Sequence, residues 1–99
     1  MSIACLNDQF LPLSQAKISP LDRGFLFGDG IYEVMPYHCA RPVGLTPHIQ
    51  RMINGLSEIE INCEMTLEQW KTLLDELVAK NNGHTKNLGV YVHVSRGTD

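Results

Sequence analysis

The sequence predicts an α+β domain, and three observations predict it. Apolar residues alternate at period two in residues 31 to 37 and 88 to 95. They recur at helical spacing in two segments between those runs, and proline, glycine, asparagine and aspartate mark the joins.

The elements follow in chain order. Ile3 to Leu6 meets the turn pair Asn7-Asp8 and continues into Phe10 to Leu13, which predicts a short hairpin. Residues 19 to 30, SPLDRGFLFGDG, carry three glycines, a proline and two aspartates, and predict an ordered loop without regular structure. Ile31 to Tyr37 is rich in β-branched and aromatic residues and predicts a strand with Tyr32 and Val34 on one face, weakened late by Pro36. After a turn around Ala40 to Pro42, Thr46-Pro47 predicts an N-cap followed by proline at the first helical position. Ile49, Met52, Ile53 and Leu56 then form one apolar stripe, while His48 and Arg51 share a different face. Gly55, about 1 kcal/mol worse than alanine in a helix, predicts an early end or a close contact there. Thr66 and Gln69 predict a capping box for a second helix, with Leu67, Trp70, Leu73, Leu74, Leu77 and Val78 inward and a stop at Asn81-Asn82-Gly83. Residues 88 to 95 predict a closing, half-buried strand.

The bulk properties narrow the function. The 99 residues, 43% hydrophobic and 19% charged, suit one globular domain with its own core. Net charge is −3, from 8 basic against 11 acidic residues, and the cations are scattered singly, so no nucleic-acid partner is expected. No apolar run reaches membrane-spanning length, and the opening residues lack a signal-peptide pattern, so a cytoplasmic protein is expected. Cys5, Cys39 and Cys63 are odd in number and widely spaced, which predicts reduced, buried thiols. The histidines show no HExxH or paired ligand spacing, so no metal is assigned.

Three features carry possible chemistry. The FGDG loop lacks the spacing of nucleotide-phosphate loops. Tyr32 leaves that loop on a strand, where a tyrosine is more often a cross-strand residue. Arg51 faces away from the apolar stripe; it is either a solvated surface cation or a fork for a phosphate or carboxylate, with His48 beside it as a further donor.

The run ISPLDRGFLFGDGIYEV at residues 18 to 34, HIQRM at 48 to 52 and VSRGTD at the end resemble, in order, the opening third of class IV, pyridoxal-phosphate-dependent aminotransferases. The DRG-x-x-x-GDG-x-Y-E run followed by H-x-x-R is far more specific than any glycine loop. The resemblance implies that residues 1 to 99 are the small N-terminal domain of the D-amino acid/branched-chain aminotransferase-like fold, an antiparallel sheet with two helices. It implies that Arg51 binds the phosphate of pyridoxal phosphate, that His48 neighbours that site, and that Tyr32 borders the substrate. Gly28 and Gly30 are implied to bring backbone close to the site, and Glu33 receives no role.

No catalytic residue is expected within these residues. The lysine that bonds to the cofactor lies in the family's larger domain, and none of Lys17, Lys71, Lys80 or Lys86 has a matching context. The implied intact enzyme is a homodimeric transaminase acting on an amino acid and a 2-oxo acid, D-alanine-like substrates favoured, and the stretch alone is expected to be inactive. The alternatives are a branched-chain aminotransferase, an aminodeoxychorismate lyase, or a non-catalytic module that self-associates or binds a partner.

Overall fold

The computed structural model describes residues 1 to 98. Asp99, the last residue of the VSRGTD run, lies outside the described residues. The chain opens with a hairpin of β1 (Ile3–Leu6) and β2 (Gln9–Pro12), paired antiparallel with Cys5 opposite Phe10. Asn7 and Asp8 both take left-handed conformations, φ 50° and 66°, the pattern of the two-residue turn whose twist matches its strands.

Residues 19 to 30 differ from the expected loop, because they contain the short helix α1 (Arg23–Phe27). Asp22 caps it by accepting from the Gly24 amide at 2.8 Å, and Gly28 ends it at φ 65°, a conformation glycine adopts without steric cost. The cap and stop flank only five residues, too few for a periodicity signal to register.

The main sheet has three strands in the order β4 (Arg41–Pro42), β3 (Gly30–His38), β5 (Asn87–Ser95), all antiparallel. The single expected sheet is thus two sheets, with the hairpin separate. Pro36 is tolerated in the central strand because β4 pairs only with Tyr37 and His38. The Pro36 carbonyl accepts from the Val43 amide at 2.9 Å, so its missing N–H points past the end of β4 rather than into a ladder.

Two long helices cover one face of this sheet. Helix α2 (Leu45–Glu58) starts two residues before the expected first helical position, Pro47, and Thr46 is not its cap. Gly44, left-handed at φ 64°, makes the entry turn, and Pro47 falls in the first turn, before the first amide that bonds back, His48 to Gly44. The helix runs through Gly55, where Ile31 lies so near that an added Cβ would meet it at 3.2 Å. Helix α3 (Leu67–Lys80) has the expected box, with Thr66 Oγ1 accepting from the Gln69 amide and Gln69 accepting from the Thr66 amide. Thr66→Ala is expected to lower stability by about 1 kcal/mol, read as a drop in thermal midpoint.

The core lies between the helices and the sheet: Met35, Tyr37 and Val90 from the strands, Leu45, Ile49, Met52 and Leu56 from α2, and Trp70, Leu74 and Val78 from α3. Tyr37 also donates from its hydroxyl to Asp75 at 3.3 Å, and burial, then the Asp75 charge, pushes its ionisation up. Asn81 joins the hairpin to α3, accepting from the Ile3 amide and donating to the Ile3 and Leu77 carbonyls. Cys39 is exposed, contrary to expectation, because it occupies a left-handed turn position at φ 47° between β3 and β4; Cys5 and Cys63 are half-buried. No helix among the described residues is long and apolar enough to cross a membrane.

Candidate functional site

Strand alternation decides which side chains of β3 meet the helices. Met35 and Tyr37 point inward, and by the same period Glu33 does too, with only 6% of its surface exposed. A carboxylate there requires cationic partners to offset its lost hydration. The helical spacing on α2 supplies both. Arg51 donates from Nε to Glu33 Oε2 and from Nη2 to Oε1, each at 2.7 Å, a paired fork. His48, one turn earlier, places Nδ1 2.7 Å from Oε1. An ionised carboxylate only accepts, so Nδ1 is the donor in this bond.

The Arg51 hydrogen bonds lower the Glu33 carboxyl most; burial opposes them, and His48 adds a further lowering, for a result of about 2 against an ordinary 4.5. A carboxyl depressed on folding contributes stability that is full above pH 4.5 and lost as pH falls toward 2. Arg51 is largely exposed, so solvent screens the pair and reduces this contribution. The urea midpoint is therefore expected to fall between pH 4.5 and 2, with that segment flattened in Glu33→Gln.

The loop before β3 is braced separately. Asp29 accepts from Arg23 Nε at 3.0 Å and Arg96 Nε at 2.8 Å, and Arg96 reaches on to the carbonyls of Ile59 and Glu60 beyond α2. Arg96 and then Arg23 hold the Asp29 carboxyl below its usual range. Asp22 also accepts from Ser95 Oγ at 3.1 Å. At Gly30 a Cβ would lie 2.7 Å from the Val94 carbonyl oxygen, so only glycine permits β3 and β5 to meet there.

The structure therefore brings together two of the three residues singled out from the sequence. Arg51 and His48 converge on Glu33, whereas Tyr32 leaves the strand on the opposite, uncovered face. There it stacks on Tyr91 with ring centroids 5.8 Å apart, and Tyr91 meets His93 edge-on. Among the described residues no hydrogen bond or ring contact joins Tyr32 to Arg51 or His48. Glu33 had no role from its type or its neighbours in sequence. The signal was its period: it falls in phase with the buried positions Met35 and Tyr37, and the cations available to match it are three apart on one helix.

The fold and site together define a small α+β domain that holds a fixed guanidinium at its surface. The chain belongs to the class IV amino-transferase family, whose pattern matches residues 30–99. It is 35% identical over 97 residues to a D-alanine aminotransferase of Staphylococcus haemolyticus, covering 98% of this chain and 34% of that protein. It is 36% identical over 92 residues to a D-alanine aminotransferase of Listeria innocua, covering 93% and 31%. The chain thus spans about a third of the length of these relatives. In structure it resembles a fold IV-transaminase of Curtobacterium pusillum, with a TM-score of 0.80 at 20% identity over 92% of this chain and 32% of that one. It also resembles a hypothetical aminotransferase of Mycobacterium tuberculosis in a PLP-bound form, with a TM-score of 0.82 at 17% identity over 100% and 35%. At these identities the structural likeness establishes the fold: the small α+β domain of fold IV transaminases.

Proposed function

We propose that residues 1 to 99 serve as the cofactor-phosphate and substrate-facing small domain of a pyridoxal-phosphate-dependent transaminase that moves an amino group between an amino acid and a 2-oxo acid. The observation that carries this reading is the Arg51 guanidinium, anchored on one edge by Glu33 and exposed on the other. Such an edge fits a phosphate: it is cationic, planar and already oriented. D-alanine-like substrates are favoured by the relatives' names.

Arg51 would hold the phosphate, with His48 alongside, and Tyr32 would border the substrate from the uncovered sheet face. When bound, pyridoxal phosphate supplies an electron sink at the substrate's Cα. The lysine that bonds to it and moves the proton comes, in this reading, from sequence beyond these residues, and turnover requires it. Without that lysine the 99 residues alone are inactive.

The uncovered face supports a partner for this domain. Tyr32, Val34 and Tyr91 are half or more exposed there, and Phe25 and Phe27 of α1 are exposed as well. Apolar area of this kind is what a surface shared with another domain or subunit presents. In this reading the intact enzyme is a cytoplasmic homodimer.

The test is 2-oxo acid formation by the full-length protein with pyridoxal phosphate, offered D-alanine, L-alanine and a branched-chain amino acid in turn. Pyruvate from D-alanine is the expected product. Turnover of the branched-chain substrate alone would reassign the subtype, and no amino transfer from any of them would sink the transaminase reading.

A further inference from the structure

We propose that Glu33 is a positioning residue for the cofactor phosphate: it fixes the angle of the Arg51 guanidinium so that the Nη1 edge, which has no hydrogen-bond partner among the described residues, is set for an oxyanion before the ligand arrives. The inference rests on the transaminase reading above.

The geometry carries it. Arg51 lies on the surface of α2 with its side chain 72% exposed, a setting in which an arginine normally samples many rotamers. Here Nε and Nη2 are both committed to one carboxylate at 2.7 Å, leaving no free rotation about the terminal bonds. That carboxylate has little freedom of its own. Glu33 sits in the central strand, opposite Val92 of β5, and is 6% exposed. Its Oε1 is further tied to His48 Nδ1. The ordering of a long side chain, which usually opposes binding, is thus completed when the domain folds.

Charge alone predicts the opposite effect. Glu33 places a negative charge against Arg51 and partly cancels the field an anion would feel. If the residue served only as a counter-charge, its removal would tighten phosphate binding; if it positions Arg51, its removal weakens it. The sign separates the two.

The experiment compares pyridoxal phosphate with pyridoxal, which lacks the phosphate, by equilibrium dialysis against the full-length wild-type protein, Glu33→Gln and Arg51→Lys. Nitrogen-15 relaxation of the Arg51 Nε–H group is recorded in parallel. The expected result is a rise of about 10-fold in the pyridoxal phosphate Kd for each variant with pyridoxal binding unchanged, and a rigid Arg51 Nε in wild type that becomes mobile in Glu33→Gln. Arg51→Lys keeps the charge but not the fork, so wild-type affinity in that variant would overturn the proposal. Equal or tighter binding by Glu33→Gln, or a mobile Arg51 in wild type, would also overturn it. Should Glu33→Gln not fold, the wild-type relaxation and Arg51→Lys decide the matter. Wild-type protein that binds both compounds alike would remove the phosphate assignment, and the proposal with it. The expected binding pattern in a protein that transfers no amino group would sink the transaminase reading and leave the positioning role standing.

Discussion

Replacement of Arg51 with alanine is expected to raise the Kd for pyridoxal phosphate by roughly 10- to 100-fold, equivalent to about 1.5–3 kcal/mol for hydrogen bonds made to a charged group. The loss has two sources. In the proposed reading the variant removes the exposed guanidinium edge that would meet the phosphate, and it strips the buried Glu33 of its paired donors, leaving it His48 among the described residues. Breaking one side of a buried pair destabilises because the remaining charge stays desolvated. The variant is therefore also expected to melt at a lower temperature at neutral pH. Its acid transition should begin at higher pH, since the Glu33 carboxyl loses the main cause of its depression. Dialysis with pyridoxal as the control separates the effects: a lower melting temperature with unchanged affinity for both compounds would leave Arg51 structural and remove it from the phosphate site.

The second large effect concerns the layer that places the site. Ile49 is fully buried, on the stripe of α2 that faces β3, one residue after His48 and two before Arg51. Ile49→Ala is expected to cost about 2–5 kcal/mol, from lost transfer energy and the cavity left in a packed core. For a domain whose whole stability is on the order of 5–15 kcal/mol, that is anywhere from about an eighth to the whole of the margin. Urea unfolding measures it, as a lower midpoint with little change in slope. A loss below about 1 kcal/mol would mean that α2 does not press on the sheet as described. Because the same helix carries both cations, looser packing should also weaken phosphate binding indirectly, by a smaller factor than Arg51→Ala.

Much of this domain is legible in local sequence, for reasons that are themselves local. The Asn7-Asp8 turn, the Thr66/Gln69 box, the stop at Asn81 and the inward stripe of α3 each rest on interactions between residues a few positions apart. The sharing of one helix face by His48 and Arg51 is of the same kind, a consequence of the helical period. The boundary at Thr46 misled because proline tolerates any place in a first turn, and Gly44 supplied the entry instead. Helix α1 escaped notice because its glycine-rich run looks like loop until Asp22 and Gly28 are seen capping it.

The sequence by itself determined the alternation of β3, the two helical stripes and the run of motif residues that marks the family, since each is set by period or by short-range caps. Tertiary structure alone decided that Glu33 lies between the sheet and α2 as the point where Arg51 and His48 meet, and that Tyr32 faces away from them. The physical reason is that residues 15 and 18 apart in the chain come within 2.7 Å only when the helix is laid across the strand. Which side of β3 becomes buried is settled by that packing and not by the strand itself.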